Sequence, residues 1–155
     1  MKRSEQKAKL KKLYRQIEEL KNVKIEEDGV WKPKLYEEYW FIDDFGKVYK
    51  DTWDCSYADN IRFNIGNVFR KEEEAKHEVE RRKVLIELKQ FSREFKYGFS
   101  NFCLHSYGEY NEFVYQNFPY QKSLGALYFE SKEILKQAIE KVGEERIKKY
   151  LFGVE

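Results

Sequence analysis

The chain is poor in the residues that staple or break small folds: two proline, two cysteine and one methionine in 155 residues. The cysteines, Cys55 and Cys103, lie far apart and form no C-x-x-C. That excludes a disulfide-dense mini-domain and is the pattern of a reduced, cytosolic protein. No apolar run approaches the roughly 18–20 residues of a membrane span. The opening MKRSEQKAKLKKLYRQ has no apolar centre, so no signal peptide is expected. Walker, GxGxxG, HExxH and GxSxG patterns are all missing. With those recognisable sites absent, the chain reads as a non-enzyme without cofactor.

What is abundant is aromatic. Phe, Trp and Tyr make up 17% of the chain, within a hydrophobic fraction of 41%. That composition supports a packed core and argues against disorder. The length fits one domain or two very small ones. Net charge is +2, but it is uneven. The first fifteen residues are strongly basic, and residues 25–69 are acidic. A basic arm on an acidic body hints at contact with nucleic acid or an acidic partner, but a solvated helix face is the commoner reason for such a charge run.

Hydrophobic periodicity divides the chain into residues 1–28, 31–97 and 100–155, the last two expected to form one compact body. In the first, Leu10, Leu13, Ile17 and Leu20 are spaced as an a/d seam with Tyr14 beside it, which predicts an amphipathic helix. Two heptads are marginal alone, so this helix is expected to pack on the body or on a second copy as a homodimer. Next, YWFI and KVYKDTW flank the DDFG turn of a hairpin. DCSYADN reads as loop, and IRFNI as a third strand with Ile61, Phe63 and Ile65 on one face. A helix is expected over 71–95, with Ala75, Val79, Val84, Ile86, Leu88, Phe91 and Phe95 as its apolar positions. The C-terminal helix is expected to break at Gly143.

The second half echoes the first. WFIDDFGKVYKDTW (40–53) lies over FCLHSYGEYNEFVY (102–115), placing Ile42 on Leu104 and Gly46 on Gly108. FRKEEEAKHEVER (69–81) lies over FESKEILKQAIEK (129–141), placing Phe69 on Phe129 and Val79 on Ile139. The expectation is therefore α+β: an N-terminal helix, then two repeated ββ(β)α units whose antiparallel sheet is covered by helices.

The stretch DTWDCSYADNIRFNIGNVF (51–69) is dense enough to be a site. The matching loop of the second unit keeps aromatics and a Gly but none of the acids. We therefore read Trp53, Asp54, Asp59, Asn60, Arg62 and Gly66 as a structural loop, with Trp53 as apolar anchor and Arg62 bridging an acid. The alternative is a catalytic set of Asp51, Asp54 and Asp59. Cys55, His77, Cys103 and His105 lack zinc-site spacing, so no metal is expected. Cys103 and His105 share a strand face but are poorly placed as a nucleophile pair; a buried thiol suits Cys103 better. Asp43 and Asp44 fall in the hairpin turn. WKPKLY and REFKYGF interleave bases with aromatics, as single-strand binders do.

The residues WKPK, EEYWFID, DTWD, IGNVF and, near the end, YFES and VGEERIKKYLFGVE carry a resemblance. Over residues 31–95 and 127–155 the chain resembles a group of small proteins encoded by phages and prophages of Gram-positive bacteria, to which no activity is assigned. The group tends to have Thr at the helix start where this chain has Lys71, which removes an N-cap; Ser131 keeps that role in the second unit. The resemblance implies a cytoplasmic accessory protein of the bacterial host cell that binds a host or phage protein, for example as an inhibitor of an anti-phage system. The alternative is a nucleic-acid-binding module using Lys7, Lys9, Lys11, Lys12 and Arg15.

Overall fold

The computed structural model describes residues 29–108 and 112–154, together with Leu13. Strands β1 (Glu38–Ile42) and β2 (Val48–Thr52) form an antiparallel hairpin with Glu38 opposite Thr52 and Ile42 opposite Val48. Asp43 builds its turn, accepting from the N–H groups of Phe45 at 2.9 Å and Lys47 at 2.8 Å. Helices α1 (Tyr57–Asn64) and α2 (Glu72–Lys89) follow. A second antiparallel hairpin, β3 (Phe102–Tyr107) and β4 (Glu112–Asn117), pairs Phe102 with Asn117. Helices α3 (Lys132–Val142) and α4 (Glu144–Leu151) close the chain, separated by Gly143 at φ +100°. The described residues are thus α+β, with four helices and two separate two-stranded sheets.

Each hairpin carries one further rung on its outer edge. Trp40 exchanges two backbone hydrogen bonds with Phe69, both 2.9 Å. Phe102 does the same with Phe129, again both 2.9 Å. A helix starts three residues after each of those phenylalanines.

Three expectations are corrected. IRFNI is not a strand; it lies in and just after α1. The Ser56 side chain accepts from the N–H of Asp59 and caps the helix. Asp59 and Asn60 are therefore helical residues rather than loop residues. Alternation misled because Ile61 and Ile65 are exposed, while the buried residue of the helix is Asp59. Second, the helix expected over 71–95 stops at Lys89. Phe91 and Ser92 donate to the carbonyls of Leu88 and Lys89, a tightened last turn. Arg93 then bridges to Tyr128, and the Phe95 ring meets Tyr128 at 5.1 Å. Third, Ile86 is exposed and does not belong to the buried stripe of Ala75, Val84 and Leu88.

The main core joins the two halves. Val84 and Leu88 of α2 pack with Phe129, with Leu135, Ala138, Ile139 and Val142 of α3, and with Ile147 of α4. Glu87 and Arg146 tie α2 to α4 by a bidentate pair at 2.9 and 3.0 Å. A smaller buried group, Tyr39, Ile42, Trp53 and Ala75, sits under the first hairpin.

The helix starts differ as their capping residues do. Ser131 Oγ accepts from the N–H of Ile134 at 3.2 Å, whereas Lys71 makes no side-chain cap. Lys71→Thr is expected to add up to about 1 kcal/mol of stability and Ser131→Ala to remove about 1 kcal/mol. Thermal unfolding of the two variants reads both signs.

Candidate functional site

The acidic stretch folds around a buried carboxylate. Asp59, 1% exposed, accepts from the Tyr39 hydroxyl at 2.6 Å and from the Asp54 N–H at 2.8 Å. Arg62 donates to the Tyr39 hydroxyl at 2.6 Å and to Asp51 at 2.7 Å. Its guanidinium lies 3.5 Å from the centre of the Phe41 ring, a close cation–π contact. Asp54 caps its own turn by accepting from the Ser56 N–H, and the Asn60 amide donates to the carbonyls of Cys55 and Ser56. Trp53, 1% exposed, packs edge-on against Tyr39 and Phe63, and its indole N–H donates to the Cys55 sulfur at 3.2 Å. Gly66, at φ +71°, ends α1 where a side chain would be strained.

Every one of these polar groups is engaged in holding the segment together. Burial alone would raise the Asp59 carboxyl, but hydrogen bonds from Tyr39 and Asp54 hold it below the usual range. Burial, reinforced by the hydrogen bond to Asp59, pushes the Tyr39 phenol up to about 12. The trio therefore holds a fixed carboxylate, a neutral phenol and an arginine, with no proton to exchange near neutral pH.

A pH signature follows. Tyr39 stays protonated in the folded chain to about pH 12, while the unfolded phenol ionises near 10. Its stabilising share is complete below pH 10 and is lost as pH rises through 12, at most about 2–3 kcal/mol. Stability should therefore fall over that window, and Tyr39→Phe should flatten that limb. Urea midpoints at pH 9, 10 and 11 check it.

The remaining candidates disperse. Cys103 is buried, and burial pushes its thiol up to about 11, which disfavours the nucleophilic thiolate. Cys55 is exposed on the α1 side, and His77 sits on α2 with its ring against Tyr150 at 5.0 Å. Among the described residues no three His, Cys, Asp or Glu side chains come close enough to hold a metal ion. No helix among them is long and apolar enough to cross a membrane. Leu10, Tyr14, Ile17 and Leu20 of the seam, and Lys7, Lys9, Lys11, Lys12 and Arg15 of the basic arm, lie outside the described residues; Leu13 is helical and 49% exposed.

Three buried polar residues escape a reading by period and composition. Tyr39 reads as a core aromatic, yet its hydroxyl organises the acidic segment. Asn67 reads as a strand breaker, yet its amide hydrogen-bonds both peptide groups of Ile42. Asn101, wholly buried, bonds the backbone of Lys96, Phe99 and Phe118 and so pins the loops beside β3 and β4.

No family model matches the chain, and neither a curated protein nor a solved structure does.

A pair of exposed aromatics lies beside those pinned loops. Tyr97 and Tyr120 meet edge to face at 5.3 Å while remaining 73% and 68% exposed, and Phe99, two residues after Tyr97 in the chain, is 65% exposed. The N–H of Gly98 donates to the carbonyl of Pro119 at 2.8 Å, which fixes the two loops side by side. Three aromatics held rigidly in water cost free energy unless something covers them.

Proposed function

We propose that this chain is a non-enzymatic accessory protein of phage or mobile-element origin that acts by binding a protein partner. The observation that carries this reading is the exposed Tyr97–Tyr120 ring pair, with exposed Phe99 two residues from Tyr97 in the chain. Exposed aromatics on a fixed scaffold are the usual anchors of protein interfaces, because they bury much area at little entropic cost. The acidic segment is read as scaffold of the first hairpin and not as a site, since its carboxylates are occupied by Tyr39, Arg62 and backbone N–H groups. The partner class we favour is a component of a host anti-phage system, in keeping with the resemblance to prophage-encoded proteins.

The body is read as two copies of one ββ(β)α design, its third strand shortened to a single rung. The Trp40–Phe69 and Phe102–Phe129 rungs, each followed at the same interval by a helix, support that duplication. The N-terminal seam is read as a second contact surface, either to the body or to another copy.

The test is a tagged pull-down from a Gram-positive host lysate, divided into nuclease-treated and untreated halves and read by mass spectrometry. A single stoichiometric protein surviving nuclease is the expected result. Partners lost on nuclease treatment would replace this reading with nucleic-acid binding through the basic arm.

A further inference from the structure

The two hairpins treat the same edge position differently. In an antiparallel strand, alternate residues turn their peptide groups to opposite edges. On β1, Trp40 faces outward and pairs with Phe69; two residues on, Ile42 faces the same way. The Ile42 N–H donates to Asn67 Oδ1 at 2.9 Å, and its carbonyl accepts from Asn67 Nδ2 at 2.7 Å. One side-chain carboxamide thus imitates a neighbouring strand at a buried edge.

On β3, Phe102 faces outward and pairs with Phe129, so the peptide groups of Leu104 face the same edge. The residue two before Phe129, where Asn67 stands before Phe69, is Leu127. Leucine has no side-chain group to offer the Leu104 peptide groups, and among the described residues no backbone group outside the hairpin hydrogen-bonds them. What lies there is a cavity of about 260 Å³, lined by Arg81, Leu104, His105, Leu127, Phe129 and Leu135 among others. His105 also lines it, and its Nε2 is buried with no hydrogen-bond partner among the described residues. Few polar groups in an apolar wall are the make-up of a small-ligand pocket.

We propose that this cavity binds a primary carboxamide carried on a small apolar body. The carboxamide would take the place at Leu104 that Asn67 takes at Ile42. The chemistry selects the amide because the edge needs one acceptor for the N–H and one donor for the carbonyl. A carboxylate or a ketone supplies only acceptors, and the Arg81 guanidinium in the wall is already engaged by both oxygens of Glu78. The apolar body answers the leucines and Phe129. This site is separate from the aromatic patch and stands whether or not that patch binds a protein.

The probes are benzamide, its near-isostere acetophenone, and a short peptide with one glutamine between leucines, each titrated into the ¹⁵N-labelled full chain. Benzamide or the peptide is expected to shift the Leu104 amide resonance, with acetophenone weaker than benzamide by about tenfold for one lost hydrogen bond. Tighter binding of benzamide identifies a free small amide as the ligand, and tighter binding of the peptide identifies a partner's side chain. Leu127→Asn should abolish binding by supplying the carboxamide internally. Ala126→Phe, confirmed folded by its spectrum, should abolish it by filling the space. Equal affinity for benzamide and acetophenone, no shift at millimolar probe, or unchanged binding in either variant would overturn the proposal.

Discussion

Asp59→Ala is expected to destabilise the protein by about 3–5 kcal/mol, the usual loss when one partner of a buried charged cluster is removed. The substitution strands the Tyr39 hydroxyl and the Asp54 N–H, both of which donate to this carboxylate. It also removes the carboxylate 4.0 Å from the Arg62 guanidinium, whose hydrogen bond to Asp51 remains. Asp59→Asn should lose less, because the amide oxygen can still accept from Tyr39. The two variants should differ in acid as well. The Asp59 carboxyl lies below its ordinary range, so its contribution is present above the unfolded value near 4 and is lost as pH falls through the folded one. Asp59→Asn should remove that part of the acid limb. Urea unfolding at pH 7 and pH 3 measures both effects, and a loss under about 1 kcal/mol at pH 7 for Asp59→Ala would remove the scaffold account of this segment.

Asn67→Leu should cost about 3 kcal/mol. It removes two buried hydrogen bonds and leaves the N–H and carbonyl of Ile42 facing an apolar side chain. Each orphaned group carries about 1–3 kcal/mol. The loss should fall on the first hairpin, so hydrogen exchange at Ile42 should accelerate more than exchange in α3. A variant as stable as the parent, with Ile42 still protected, would show that water or a backbone shift satisfies that edge.

The sequence was legible where period and turn chemistry agreed. DDFG between two aromatic runs specifies the first hairpin, and Gly143 specifies the break between α3 and α4. It was misleading at IRFNI, where three apolar residues alternate by chance on a helix that buries a carboxylate instead. A rule that sends charged residues outward cannot anticipate Asp59, because its burial depends on Tyr39, twenty residues earlier. Phe91 and Phe95 continued the helical period, but the chain leaves the helix to pair Arg93 with Tyr128. Asn67 and Asn101 carried ordinary breaker and turn signals. Their roles depend on which backbone groups the fold leaves unpaired, which a linear reading does not contain. Of the proposed binding surface, the excess of aromatics was visible, but not which of them stay in water: Tyr97 and Tyr120 come together beside the Gly98–Pro119 contact.

The most direct test of the binding account compares capture by the parent chain with capture by the Tyr97→Ser/Tyr120→Ser variant in nuclease-treated lysate. Both residues are exposed, so the double variant should unfold within about 1 kcal/mol of the parent. The account predicts an unchanged fold and loss of the stoichiometric protein partner. Retention of that partner at the parent's level would contradict it.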